Sequence, residues 1–145
     1  MLHCLDLVGR MLMAHILVLD DVCEAGVLIQ KILGKKGHRV VSFCDEDAAL
    51  AYAGSNTLDL AILDINLRRM DGILVLKELK KTAPGMRAIM LTGYPTIQTA
   101  QAARSLGADA YCVKPIDKNE LEATVDRVLG SNPAEKRKDK EAAGR

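Results

Sequence analysis

The sequence predicts an α/β fold: a five-stranded parallel sheet in the order 2-1-3-4-5, flavodoxin-like, with five flanking helices. Three observations lead there. Short apolar runs alternate strictly with segments of helical period, five of each, which is the signature of β-α units closing a parallel sheet by right-handed crossovers. Three of the runs are continuously aliphatic rather than alternating, as strands covered by helices on both faces must be. At 145 residues, one domain with one core is expected, and 2-1-3-4-5 is a common order for a doubly wound sheet of that size.

Taken in order, HILVLDD (15–21) is the first strand. The helix after it is expected to turn Val27, Leu28, Ile32 and Leu33 inward and Lys31, Lys35 and Lys36 outward, with Gly34 and Gly37 ending it. HRVVSFC (38–44) is the second strand. DEDAALAYAG (45–54) is a short helix with acids in its first turn, where the helix dipole favours them. LDLAILD (58–64) is the third strand. Asp71 opens a helix with Leu74, Val75, Leu76 and Leu79 inside and Lys77, Glu78, Lys80 and Lys81 outside, closed by Pro84-Gly85. RAIMLT (87–92) is the fourth strand. Pro95 and Thr96 start an alanine-rich helix that Gly107 stops. DAYCVK (109–114) is the fifth strand, and Pro115 and Asp117 lead into a last helix buried through Leu121, Val125, Val128 and Leu129.

The domain is expected to span 14–130. Residues 1–13 read as an extension: either they form a short amphipathic helix through Leu5, Val8 and Leu12, or Met13 is the functional start and 1–12 a loose extension. Residues 131–145 are charged and poor in large apolar side chains, so they read as a disordered tail or linker.

Composition narrows the function. Net charge is +1, so no overall field argues for nucleic acid or a membrane surface. With no Trp, one Phe and three Tyr, a base-stacking platform is not available. No apolar run approaches the ~20 residues that span a bilayer. Cys4, Cys23, Cys44 and Cys112 form no C-x-x-C pair and have no histidine cluster beside them, so a metal-ligand pattern is absent. Reduced thiols and a cytoplasmic location are the expectation.

The chemistry collects at one sheet edge. All strands of a parallel sheet end on the same side, and open α/β folds bind ligands there. Strand one delivers Asp20 and Asp21, strand three Asp64, strand four Thr92, and strand five Lys114 followed by Pro115. Each has a plain explanation when taken alone. Asp suits a turn or an N-cap, Thr favours strands, and Lys favours solvent. Taken together they fall at the ends of the correct strands, which independent placement does not explain. Three nearby carboxylates repel one another, so compensating cations are needed. Lys114 is one. A hard divalent ion, Mg²⁺, is the natural second. Asp64 then has a role open to it as a nucleophile toward phosphorus, with Lys114 and the Thr92 hydroxyl offsetting charge on the phosphoryl oxygens.

LVLDD, ILDINLRRMDG, MLTGY and YCVKP, in this order and spacing, resemble a two-component response-regulator receiver domain (CheY-like) across about residues 14–130. The resemblance implies a role for each residue. Asp64 is the phosphoacceptor. Asp20, Asp21, Asp64 and the backbone carbonyl of Asn66 hold Mg²⁺. Thr92 is the switch hydroxyl and Tyr111 the rotating aromatic. Lys114 binds the phosphoryl group and precedes a cis peptide bond to Pro115. It implies a sensor histidine kinase or phosphotransfer protein as donor, and a downstream effector or output domain read through the helix 4–strand 5–helix 5 face. A second copy of the phosphorylated chain is a further candidate partner. Asn66 and Tyr94 are positions where such families vary, and Pro95 is expected to stiffen the loop before helix four.

Two other classes compete. An Asp-nucleophile phosphatase of the haloacid-dehalogenase type would need a second acid two residues after Asp64, where Asn66 stands. A phosphorylation-independent pseudo-receiver would be expected to lack one of Asp20, Asp21, Asp64 or Lys114. No DNA-binding or ATPase pattern follows residue 130. The expectation is therefore a stand-alone receiver or one excised from a longer transcriptional regulator.

Overall fold

The structure is a computed structural model that describes residues 13–130. The readings of the N-terminal extension, of Cys4 and of the charged tail lie outside those residues. Element order is β1 (His15–Leu19), α1 (Cys23–Lys35), β2 (Arg39–Phe43), α2 (Glu46–Ser55), β3 (Leu60–Asp64), α3 (Gly72–Thr82), β4 (Arg87–Thr92), α4 (Ile97–Ser105), β5 (Ala110–Val113) and α5 (Lys118–Gly130). The strands form one parallel sheet in the order β2-β1-β3-β4-β5, as the alternation of the sequence predicts.

Side chains along a strand point alternately to opposite faces, so each aliphatic run feeds two cores. Ile16, Val18, Leu60, Ile62, Ile89 and Leu91 pack against α1 and α5. Leu17, Leu19, Ala61, Leu63, Ala88 and Met90 pack against α2, α3 and α4. That is the physical reason for the unbroken aliphatic strands.

One helix is rotated from its expected face, and a second departs from its own at a single residue. In α1 the buried residues are Gly26, Ile29 and Leu33, while Val27 is 40% and Leu28 59% exposed. The glycine carries no hydrophobic signal, yet it sets the face: a Cβ there would sit 2.4 Å from the Ser42 hydroxyl on β2. In α3, Val75, Leu76 and Leu79 are buried as expected, but Leu74 is 52% exposed. α1 also runs through Gly34, and Gly37, at φ 95°, marks its end.

The reduced-thiol expectation fails for two cysteines. Cys23, the first residue of α1, is disulfide-bonded to Cys44, the residue after β2, with Cα atoms 5.1 Å apart. A search for closely spaced cysteines cannot see this pair, because the two are 21 residues apart in sequence and meet only through the lateral pairing of β1 with β2. Closing a loop of that separation, 21 residues, removes unfolded-state entropy worth roughly 3 kcal/mol. Cys112 is a buried, unbridged thiol.

His38 ties the start of β1 to the end of α1. It is buried, and its Nδ1 accepts the Ala14 N–H at 3.0 Å, so the folded ring is neutral with its proton on Nε2. Burial, helped by Lys36, pushes its pKa below the ordinary 6.5 against the pull of Asp126 and Asp59. A lowered histidine contributes stability that is present above the unfolded pKa and lost as pH falls through it. The urea midpoint is therefore expected to fall between about pH 7.5 and about pH 5.5. His38→Gln, which keeps an acceptor for Ala14, should flatten that fall; an equal fall in the variant would show that other groups cause it.

Candidate functional site

The site is built from strand ends. β1 runs into Asp20, whose N–H donates to the Phe43 carbonyl at 3.1 Å. Its Oδ1 accepts the Val22 N–H at 2.9 Å, a short Asx-type turn that aims the other oxygen at the sheet edge. β3 ends in Asp64, 5% exposed, whose Oδ1 accepts the Asn66 N–H at 3.0 Å. The chain can double back there because α3 starts on a glycine. Gly72 donates its N–H to the Ile65 carbonyl at 2.9 Å, and a Cβ on it would lie 2.1 Å from the Asp64 carbonyl oxygen. Asp71 caps α3 by accepting the Ile73 N–H.

Asp20, Asp21 and Asp64 each offer a carboxylate oxygen, and the three oxygens lie within 4.8 Å of one another. Lys114 Nζ donates to Asp20 Oδ2 at 2.5 Å and to Asp64 Oδ2 at 3.2 Å. Its backbone is fixed by an N–H bond to the Thr92 carbonyl at 2.8 Å, and the bond to Pro115 is cis. Burial pushes the Asp64 pKa up, and Asp20 adds to that; the Asn66 N–H and Lys114 pull against it without prevailing. Burial pulls the Lys114 pKa down, but the bonds to Asp20 and Asp64 outweigh it and the pKa is raised. Asp20, Asp21, Asp64 and Lys114 are thus brought together as the sequence predicts. The donor set is hard carboxylate oxygen, which fits Mg²⁺.

Thr92 is fully buried at the end of β4. Its hydroxyl donates to Asn66 Oδ1 at 2.9 Å and accepts the Tyr94 N–H at 3.0 Å. Tyr111 is half-buried on β5. Its hydroxyl accepts the Thr96 N–H at 3.3 Å and bonds the Thr99 hydroxyl at 2.8 Å, so it is docked on the first turn of α4.

Two contacts were not anticipated from sequence. Arg68 Nε lies 3.7 Å from Asp21 Oδ2, with the arginine side chain largely exposed. Asn66, expected to contribute only its backbone carbonyl, engages Thr92 through its side chain. Neither carries a signal that pattern reading could find, because each depends on how the β3–α3 loop folds back.

The response regulator receiver domain family matches residues 16–126. The transcriptional regulatory protein ZraR of Escherichia coli K12 is 33% identical over 114 residues, covering 79% of this chain and 26% of its own length. The chain thus spans about a quarter of that relative. A CheY-like receiver domain protein from Methanospirillum hungatei has a TM-score of 0.78 at 30% identity, covering 88% of this chain and 98% of its own. A response regulator from Burkholderia pseudomallei, solved with a phosphorylated aspartic acid, a calcium ion and citrate, has a TM-score of 0.74 at 28% identity, covering 90% and 74%.

A raised carboxyl pKa has a stability consequence. The folded state favours protonated Asp64, so stability drops as pH rises from the unfolded value, 3.8, to the folded one, and the loss persists at neutral pH. In Mg²⁺-free buffer with chelator, Asp64→Asn should raise the unfolding midpoint at about pH 7 and change it little at about pH 3.5. A lower midpoint at neutral pH would mean that the ion pair with Lys114 outweighs the cost of burial.

Proposed function

Since the chain belongs to the response regulator receiver domain family, we propose that Asp64 accepts a phosphoryl group from the phosphohistidine of a sensor histidine kinase or of a phosphotransfer protein. The observation that carries this is the convergence of Asp20, Asp21 and Asp64 oxygens within 4.8 Å, with Lys114 Nζ 3.2 Å from Asp64 Oδ2. A carboxylate so placed is a nucleophile with its charge-compensating groups already assembled. Asp20, Asp21, Asp64 and the Asn66 carbonyl would hold Mg²⁺, which when bound supplies charge to offset the phosphoryl oxygens.

Asp64 attacks phosphorus, the phosphorus–nitrogen bond breaks, and the electron pair returns to the donor imidazole. Lys114 stays on the phosphoryl oxygens. Thr92 must release Asn66 before its hydroxyl can donate to a phosphoryl oxygen, since a hydroxyl has one proton to give. Water later attacks phosphorus and frees the Asp64 carboxylate and inorganic phosphate. The chain thus catalyses only its own phosphorylation and dephosphorylation.

Phosphorylation shifts a two-state population and acts only through its differential stabilisation of one state. The face carrying Tyr94, Ile97 and Val113, large apolar side chains that are 76%, 74% and 47% exposed, is the readout, and Tyr111 changes its seat as α4 moves. The relatives that are transcriptional regulators point to transcriptional output through a partner or a further domain, and to a cytoplasmic setting.

Incubation with Mg²⁺ and acetyl phosphate should give a phosphoryl adduct by intact mass in the wild type and none in Asp64→Asn. An unmodified wild type would favour a phosphorylation-independent binding module. Removing the Asn66 side chain should free Thr92 for the phosphoryl group. Asn66→Ala is expected to bind beryllofluoride, a phosphoryl mimic, roughly two- to tenfold more tightly in Mg²⁺, the worth of one hydrogen bond. Titration followed by the Thr92 amide resonance checks it, and equal affinities would remove Asn66 as a restraint.

A further inference from the structure

The bond between Cys23 and Cys44 sits beside the acidic cluster, and nothing in the proposed phosphoryl chemistry uses it. Cys23 lies two residues after Asp21, and Cys44 directly follows Phe43, whose carbonyl accepts the Asp20 N–H. The disulfide therefore closes a small ring through Asp20, Val22, Cys23, Cys44 and Phe43. Two of the three clustered acids, Asp20 and Asp21, belong to that ring's β1–α1 arm.

The start of α1 depends on this link more than other helix starts do. Asp45, Asp71 and Thr96 cap α2, α3 and α4 through their side chains. At α1 the capping position is Val22, which makes no side-chain cap bond. Val is a poor cap because it has no acceptor. The covalent bond on the next residue holds the helix start where a cap would otherwise do so. Both cysteines are solvent-exposed, so a reductant can reach them.

We propose that Cys23–Cys44 is a reversible redox site that sets the Mg²⁺ affinity of the receiver, tight when oxidised and weaker when reduced. The inference rests on the receiver reading and adds its regulation. The co-reactant is a dithiol, a small molecule or a dithiol protein. One of its sulfurs attacks a protein sulfur and the Cys23–Cys44 bond breaks. The resulting mixed disulfide is resolved by the second sulfur of the dithiol. Two electrons and two protons pass to the cysteines, and the dithiol leaves as a disulfide. A disulfide that is exposed in a reducing compartment is expected to be transient and regulatory rather than structural. Once it is open, the β1–α1 turn keeps only its hydrogen bonds, and gathering Asp20 and Asp21 around an ion costs more ordering.

The test uses the full chain, oxidised or treated with dithiothreitol, with the bond state read by alkylation and intact mass. Mg²⁺ affinity is read by calorimetry. Circular dichroism checks that both forms are folded, and a Cys23→Ser/Cys44→Ser variant serves as a permanently open control. The reduced wild type and the variant should bind Mg²⁺ roughly three- to tenfold more weakly than the oxidised protein, the loss of a preorganised turn. The variant should not respond to dithiothreitol. Equal Mg²⁺ affinities, with Asp64 still labelled by acetyl phosphate in both forms, would overturn the redox coupling and leave the receiver reading intact. A reduced form that is unfolded at assay temperature would also overturn it, because a switch needs two folded states. Failure of both forms to bind Mg²⁺ or take up phosphate would overturn the receiver reading and this inference together.

Discussion

Three acids share one sheet edge with an ammonium between two of them, and much of the molecule is organised around keeping that arrangement. Lys114 bridges Asp20 and Asp64 across 94 and 50 residues of chain. Such a bridge exists only because β1, β3 and β5 run parallel and end on one side. The burial of Asp64 makes its charge costly, which is why its pKa is raised despite the lysine. A buried carboxylate whose compensation is incomplete has the most to gain from further positive charge. The cluster therefore stands to gain from a bound cation, which its carboxylate oxygens suit.

The route from that edge to the surface is short and made of hydroxyls. Thr92 bonds Asn66 on one side and the Tyr94 N–H on the other. Tyr94 lies in the loop whose next residues, Pro95 and Thr96, lead into α4, and Thr96 and Thr99 hold the Tyr111 hydroxyl. Any change of partner at Thr92 thus acts on the segment that positions α4, with Tyr111 linking α4 to β5. These bonds are neutral and individually modest, so the assembly can exchange one set for another without breaking the aliphatic layers beneath.

What the sequence made legible follows the strength of its patterns. The order and type of all ten elements came from alternation, and RAIMLT coincides with β4 because Arg87 and Thr92 bound an unbroken apolar run. The cluster of Asp20, Asp21, Asp64 and Lys114 was legible because topology alone brings strand ends together. Helix faces were less so. The inward face of α1 is set by Gly26 against Ser42, a matter of steric room that hydrophobic spacing does not register. The Asn66–Thr92 and Arg68–Asp21 contacts depend on loop geometry, and the Cys23–Cys44 bond on lateral strand pairing. None of these leaves a local periodicity to read.

The disulfide and the Thr92 and Tyr111 hydroxyls lie on opposite flanks of Asp64. The β1–β2 flank, closed by Cys23 and Cys44, carries two of the acids and little that needs to move. The β4–β5 flank carries Thr92, Lys114 and Tyr111 and leads to exposed Tyr94, Ile97 and Val113. A covalent tie on the first flank restrains ligand assembly while leaving the second free to shift. The same tie placed between β4 and β5 would oppose the proposed shift of α4 instead. Its position is therefore suited to governing whether the site can load, and not to governing what the loaded site then does.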